Sequence, residues 1–238
     1  MNWVLSNLDT IGDDTVAHLA IALPPIVISF LLSIPIGWLV VRLRRPGGKQ
    51  VTRGIGGGIV TFAGLLYAIP SLPLFIALPS LIGTGLQDPA NVVIGLTLYG
   101  LALMVRSTVD GLESVDSATT GAATAMGYSG VQRFFRVDLP LAGPVLLAGL
   151  RVVSVSTISL TTVGAVLGIT SLGSLFTDGI GRGITEEIVA GIVMVLVLAF
   201  AVDGLLVLLG RVVMPWTRKT SVSRRQARRV LQAAEATS

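Results

Sequence analysis

Long apolar runs recur along this chain, and they limit its possible folds more than any other feature. Residues 15–41, 91–109, 141–169 and 188–210 are each long enough to cross a bilayer core, which at helical rise takes roughly 20 apolar residues. Lipid offers unpaired backbone groups no partner, so such runs read as helices. A fifth run covers 55–82, but Pro70, Pro73 and Pro79 fall in its second half. Proline lacks the amide donor and clashes with the preceding turn, so a kinked span is predicted: a helix over 55–70, then a short broken or interfacial helix reaching residue 82. With 52% hydrophobic residues, 13% charged residues and a mean hydropathy of +0.83, the chain lies outside the range of soluble domains. The expected fold class is an all-α membrane protein of about five transmembrane helices, one unit without internal repeats.

The charges set the expected orientation. Arg42, Arg44, Arg45, Lys49 and Arg53 follow the first run, Arg133 and Arg136 follow the third, and the fifth is followed by Arg211, Arg218, Lys219, Arg224, Arg225, Arg228 and Arg229. The alternate regions hold Asp9, Asp13, Asp14, Asp88, Asp178, Glu186 and Glu187, with Arg182 as their only basic residue. Short basic loops stay in the cytoplasm, so the pattern predicts an N-terminus outside and a C-terminus inside. The chain then divides into an extracytoplasmic stretch 1–14, a transmembrane domain 15–210 with a cytoplasmic loop over 110–140, and a basic cytoplasmic tail 211–238. The tail composition predicts no fixed fold, and its basic residues read as fixing the orientation and touching anionic lipid, ahead of a dedicated regulatory role. Net charge +4 does not point to nucleic acid, because topology accounts for the basic residues. Residues 1–14 carry three aspartates and no Lys or Arg, the reverse of a secretion leader; Trp3, Leu5 and Leu8 are expected along the membrane surface.

One stretch does not suit lipid: residues 121–140, GAATAMGYSGVQRFFRVDLP. Asp116 is a good N-cap for a helix over 117–126, and Gly127 stops it. Ser129 and Gln132 have capping-box spacing for a second short helix, Val131, Phe134 and Phe135 fall on one face, and Pro140 ends the turn. Two short helices at a glycine bend, carrying an apolar ridge, suit a groove on a soluble partner.

The same stretch resembles the permease subunits of binding-protein-dependent ABC importers, whose loop reads E-A-A, three residues, G, nine residues, I-x-L-P. Ala122, Ala123, Gly127, Leu139 and Pro140 match without a gap, Val137 replaces the usual Ile, and Gly121 stands where the family has Glu. HLAIALPPIVISFLLSIPIGWLVVR, IPSLPLFIALPSLIGTG and LPLAGPVLLAGLR look like the family's core spans, and together they are most similar to the osmoprotectant branch, permeases for glycine betaine, choline, carnitine or proline. The resemblance implies a multi-pass, type I ABC importer permease-like protein of a bacterial plasma (inner) membrane. It also implies ABC ATPase subunits that bind ATP and Mg and dock on the loop, a second permease copy or paralogue, and an extracytoplasmic substrate-binding protein. This chain would then hold no cofactor and catalyse nothing; it has no G-x-x-x-x-G-K-[ST], and GGKQ at 47–50 lacks that spacing. Import of methionine or another amino acid is the second reading within the family.

Several residues inside the runs are candidates for a path or for packing. Arg151 and Asp203 are ionisable, close enough in depth to pair, and otherwise candidates to line a path. Ser154, Ser156, Thr157, Ser159, Thr161 and Thr162 make the fourth span unusually hydroxylated, either as a polar wall or as a packing face joined by Gly164 and Gly168 at GxxxG spacing. Tyr67 and Tyr99 could turn their rings to a cationic solute, or pack. His18, the only histidine, reads as a packed residue, and with no cysteine in the chain a metal cage is not expected. An intramembrane enzyme would need a Ser/His, paired-Asp or metal constellation that these residues do not supply, and an autonomous channel has no use for a docking loop.

Overall fold

The computed structural model describes residues 2–44 and 50–217 and contains, among them, helices and connecting turns. Arg45 and Lys49 of the first basic loop, most of GGKQ, and the tail from 218 onward lie outside the described residues. The helices are α1 (Asn2–Ser6), α2 (Leu8–Leu43), α3 (Gln50–Tyr67), α4 (Ser71–Ile82), α5 (Pro89–Glu113), α6 (Ser117–Ala125), α7 (Gly130–Arg133), α8 (Leu139–Thr161), α9 (Ser174–Arg182) and α10 (Thr185–Val213). A π-helical turn, Phe134–Asp138, joins α7 to α8, and a 3-10 segment, Thr162–Leu167, follows α8. Four stretches are long and apolar enough to cross a membrane, and the bent pair α3–α4 makes a fifth if counted as one span.

α2 is one helix of 36 residues, about 54 Å at 1.5 Å per residue, and passes through Pro24, Pro25 and Pro35. It starts at Leu8, so the predicted boundary at 14 falls inside a helix. Ile11 explains the extension: it is buried against Leu172 and Leu175 of the α8–α9 region, a support that hydropathy along the chain does not register. Trp3 and Val4 pack against the same cluster, while Leu5 and Leu8 stay exposed.

α3 and α4 meet at 104°. Pro70 is extended at the break, and the Tyr99 hydroxyl donates to the Ile69 carbonyl at 2.5 Å, which holds the corner against α5. Asp88 caps α5 by accepting from Ala90 N at 2.9 Å, with Pro89 in the first turn, where no amide donor is needed.

α5 lies at the centre, parallel to α2 and antiparallel to α8. Lipid gives helices no hydrophobic reason to associate, so close packing through small residues matters more. A β-carbon placed on Gly37 would lie 2.5 Å from Thr108 Cγ2, and one on Gly149 would lie 2.5 Å from Ser107 Oγ. α10 packs at the side, against α8 and α9, and leaves most of its surface open. The α-helix of α8 stops at Thr161, short of the predicted residue 169, and Gly168 closes the 3-10 segment at φ 81°. Gly164 and Gly168 therefore share no α-helical GxxxG face, yet both pack tightly as small residues, against Val92 of α5 and Gln87 just before it.

Charges segregate by end. Beside α6 and α7, Arg44 pairs with Glu113 at 3.5 Å and Arg42 lies over the Trp38 ring at 5.4 Å. At the far end Arg182 bridges Asp178 at 3.0 Å and the buried Glu187 at 3.4 Å, and Glu186 accepts from Trp3 N at 3.3 Å.

Candidate functional site

The hairpin 117–138 is built by local chemistry. Asp116 Oδ1 accepts from Ala118 N at 2.8 Å and starts α6. Gly127, at φ 85°, reverses the chain while Met126, Gly127 and Tyr128 donate back to Ala122, Thr124 and Ala123. Ser129 and Gln132 form the full capping box: Gln132 N donates to Ser129 Oγ at 3.3 Å, and Ser129 N to Gln132 Oε1 at 3.0 Å. Arg133 ties the two arms, donating to Asp138 Oδ2 at 3.1 Å and to Thr124 Oγ1 at 3.4 Å.

Two expectations change here. Pro140 does not end a turn; it sits in the first turn of α8, where its missing donor costs nothing, and the second arm continues through the π-helical turn into the span. The apolar ridge also splits. Val131 and Phe135 are exposed, at 58% and 60%, together with Met126 at 72%, but Phe134 is buried and its ring lies 5.7 Å from that of Trp38. A cleft of about 250 Å³ opens between Trp38, Arg42 and Ser129–Val131. Of the motif residues, Ala123 is buried; Val137, Leu139 and Pro140 are half-buried, Leu139 packing with Phe134, Leu112 and Met104. Gly121 and Ala122 face outward, and a β-carbon on Gly121 would meet nothing within 4 Å, so this packing does not demand glycine there.

Within the spans, Arg151 and Asp203 form a bidentate pair at 2.6 and 2.7 Å. The pair borders a groove of about 500 Å³ with Ala148, Val152, Val155 and Ser156. Ser154, Thr157 and Thr161 are buried in the bundle, Ser154 and Thr161 donating to the carbonyls of Leu150 and Thr157, each at 2.8 Å. Ser156, Ser159 and Thr162 are less buried. Tyr99 is buried, edge-on to the exposed Tyr67 at 5.8 Å between ring centres. His18 is fully buried, its Nε2 3.0 Å from the Ile158 carbonyl oxygen. No cluster of three or more His, Cys, Asp or Glu that could hold a metal occurs among the described residues.

Sequence reasoning missed Arg106. It stands exposed on α5, seven residues inside the helix, and with Asp110 borders a groove against α8. The signal was available: Arg106 falls within the run 91–109, three residues from its end, where an ionisable residue already calls for an account.

Comparison with known proteins agrees with this geometry. The family described as binding-protein-dependent transport system inner membrane component matches residues 49–214. The chain is 31% identical over 210 residues to the osmoprotectant import permease protein OsmW of Salmonella typhimurium, covering 87% of this chain and 93% of OsmW. It is 26% identical over 219 residues to the glycine betaine/carnitine/choline transport system permease protein OpuCB of Bacillus subtilis, covering 90% and 95%. In fold it is similar to the inward-facing methionine ABC transporter MetNI, with a TM-score of 0.76 at 19% identity over 87% of this chain and 98% of that one; at that identity the likeness concerns the fold alone. The chain belongs to the binding-protein-dependent inner membrane components, the multi-pass permease subunits of ABC importers, and within them to the osmoprotectant branch.

Proposed function

We propose that the chain forms the translocation path for a small compatible solute, of the glycine betaine, choline, carnitine or proline kind, in an ATP-driven importer. Relatives named for osmoprotectant, glycine betaine, carnitine and choline transport support the solute class. A separate extracytoplasmic protein delivers the solute, and a second permease copy or paralogue completes the path. The hairpin end faces the cytoplasm, with the basic residues, as the charge rule requires. There an ATPase that binds ATP and Mg docks on the hairpin through Gly121–Gly127 and the surface of Val131 and Phe135. This chain itself hydrolyses nothing.

One observation carries the reading: an exposed apolar ridge on an arm that is continuous with a membrane span. Closure of the ATPase pair on ATP would push that arm and bias the bundle between two packings. The test replaces the ridge, not the anchor. In Phe135→Asp the permease should fold with unchanged thermal unfolding, yet fail to co-purify with the ATPase and fail to accumulate glycine betaine. Retention of the ATPase together with normal uptake would refute the docking assignment.

A further inference from the structure

The face of α8 that no helix of this chain covers runs through Leu141, Pro144, Ala148, Val152, Val155 and Ser159. It is flanked by charge on both sides: the Arg151–Asp203 pair on one, Arg106 and Asp110 of α5 on the other. The two flanks differ. Arg151 and Asp203 satisfy each other, whereas neither Arg106 nor Asp110 has a side-chain hydrogen bond or ion-pair partner among the described residues. Arg106 lies about 10 Å from the end of α5 at 1.5 Å per residue. The groove it borders holds about 390 Å³, walled by Leu103, Val145, Ala148 and Val152. Its floor is the close approach of Gly149 to Ser107, which leaves no gap between the helices.

An unpaired guanidinium within the run 91–109 is disfavoured against hydrocarbon, and ionisable residues within spans face water-filled cavities or partners. α10 shows the contrast. Its open face carries Val193, Leu196, Val197 and Phe200, a surface suited to lipid. Arg106 and Asp110 are one helical turn apart, so their β-carbons are roughly 6 Å apart, yet they do not pair. Opposite charges that share one wall without pairing match a small zwitterion.

We infer that the α5–α8 groove is a binding site for a carboxylate-bearing zwitterion in transit. The Arg106 fork takes the carboxylate and Asp110 faces the cationic end. The inference rests on the proposed function and narrows it: a solute with a carboxylate, such as glycine betaine, fits this wall, whereas choline has nothing for Arg106 to hold.

Because the chain lacks cysteine, Ala148→Cys introduces its sole thiol. In the purified permease–ATPase complex, a charged, water-soluble thiosulfonate should modify Ala148→Cys and leave Phe200→Cys on α10 untouched. Glycine betaine should protect Ala148→Cys at concentrations at least tenfold lower than choline. Adding Arg106→Gln should raise the protecting concentration of glycine betaine at least tenfold while leaving that of choline unchanged, and Arg106→Lys should recover part of the loss. An unreactive thiol, equal protection by both solutes, or protection that follows phosphatidylglycerol content instead of glycine betaine would overturn the site; the last would assign Arg106 to lipid headgroups. Labelling that ignores glycine betaine while import persists refutes the groove alone, whereas absence of import for every such solute refutes the broader reading.

Discussion

The first arm of the hairpin, α6, buries only Ala123, whereas the second arm runs from α7 through the π-helical turn into α8 and seats Phe134 beside Trp38. The first arm is held by local devices: the Asp116 cap, the Gly127 reversal and the Arg133 contact with Thr124. The second is held by the core of the membrane domain. Two arms of similar length thus serve different mechanical ends. On the proposed docking of the ATPase, the first would present a surface that can adjust to the partner and the second would carry displacement into the span.

Three substitutions test that contrast. Phe134→Ala should have the largest effect, because removing a buried aromatic typically costs about 3 kcal/mol and here also detaches the second arm from α2. A clear drop in thermal unfolding temperature and loss of uptake are expected; an unmoved unfolding curve would mean the second arm is no better anchored than the first. Gly127→Val comes next. Its side chain meets open space, so the penalty is conformational, about 1–2 kcal/mol for a left-handed position. The chain should fold while ATP hydrolysis in the complex runs with less solute moved per ATP, and an unchanged ratio would show that the bend between the arms does not matter. The smallest effect belongs to Asp116→Ala, about 1 kcal/mol for a lost cap. Faster hydrogen exchange confined to α6, with uptake reduced less than twofold, would agree with a locally held first arm; spread of the exchange into α8 would contradict it.

Much of the architecture was legible because lipid imposes its demands on each span separately. Hydropathy located the spans, Pro70 marked the corner between α3 and α4, and the capping chemistry of Asp116, Ser129 and Gln132 outlined the hairpin. What escaped depends on contacts distant in sequence. The direction of Phe134 is decided by Trp38, nearly a hundred residues earlier, so helical periodicity alone placed it on the exposed ridge. The first turns of α2 rest on Leu172 and Leu175. Tyr99 turned inward to hold Ile69, and Ser154, Thr157 and Thr161 are buried in the bundle, where side-chain type says nothing about facing. Arg106 was overlooked because it stands near the end of its run, beside Ser107 and Thr108; that its side chain has no partner among the described residues emerges only in three dimensions.

The helical stretch Gly130–Leu167 has 38 residues, and a tight approach to α5, at Gly149 against Ser107, falls near the middle. About 28 Å of rod extends on either side of that point at 1.5 Å per residue. If that contact serves as a pivot when an ATPase pulls on the hairpin, the rod is a seesaw of equal arms, and a sideways pull at one tip would be returned as a nearly equal and opposite movement at the other.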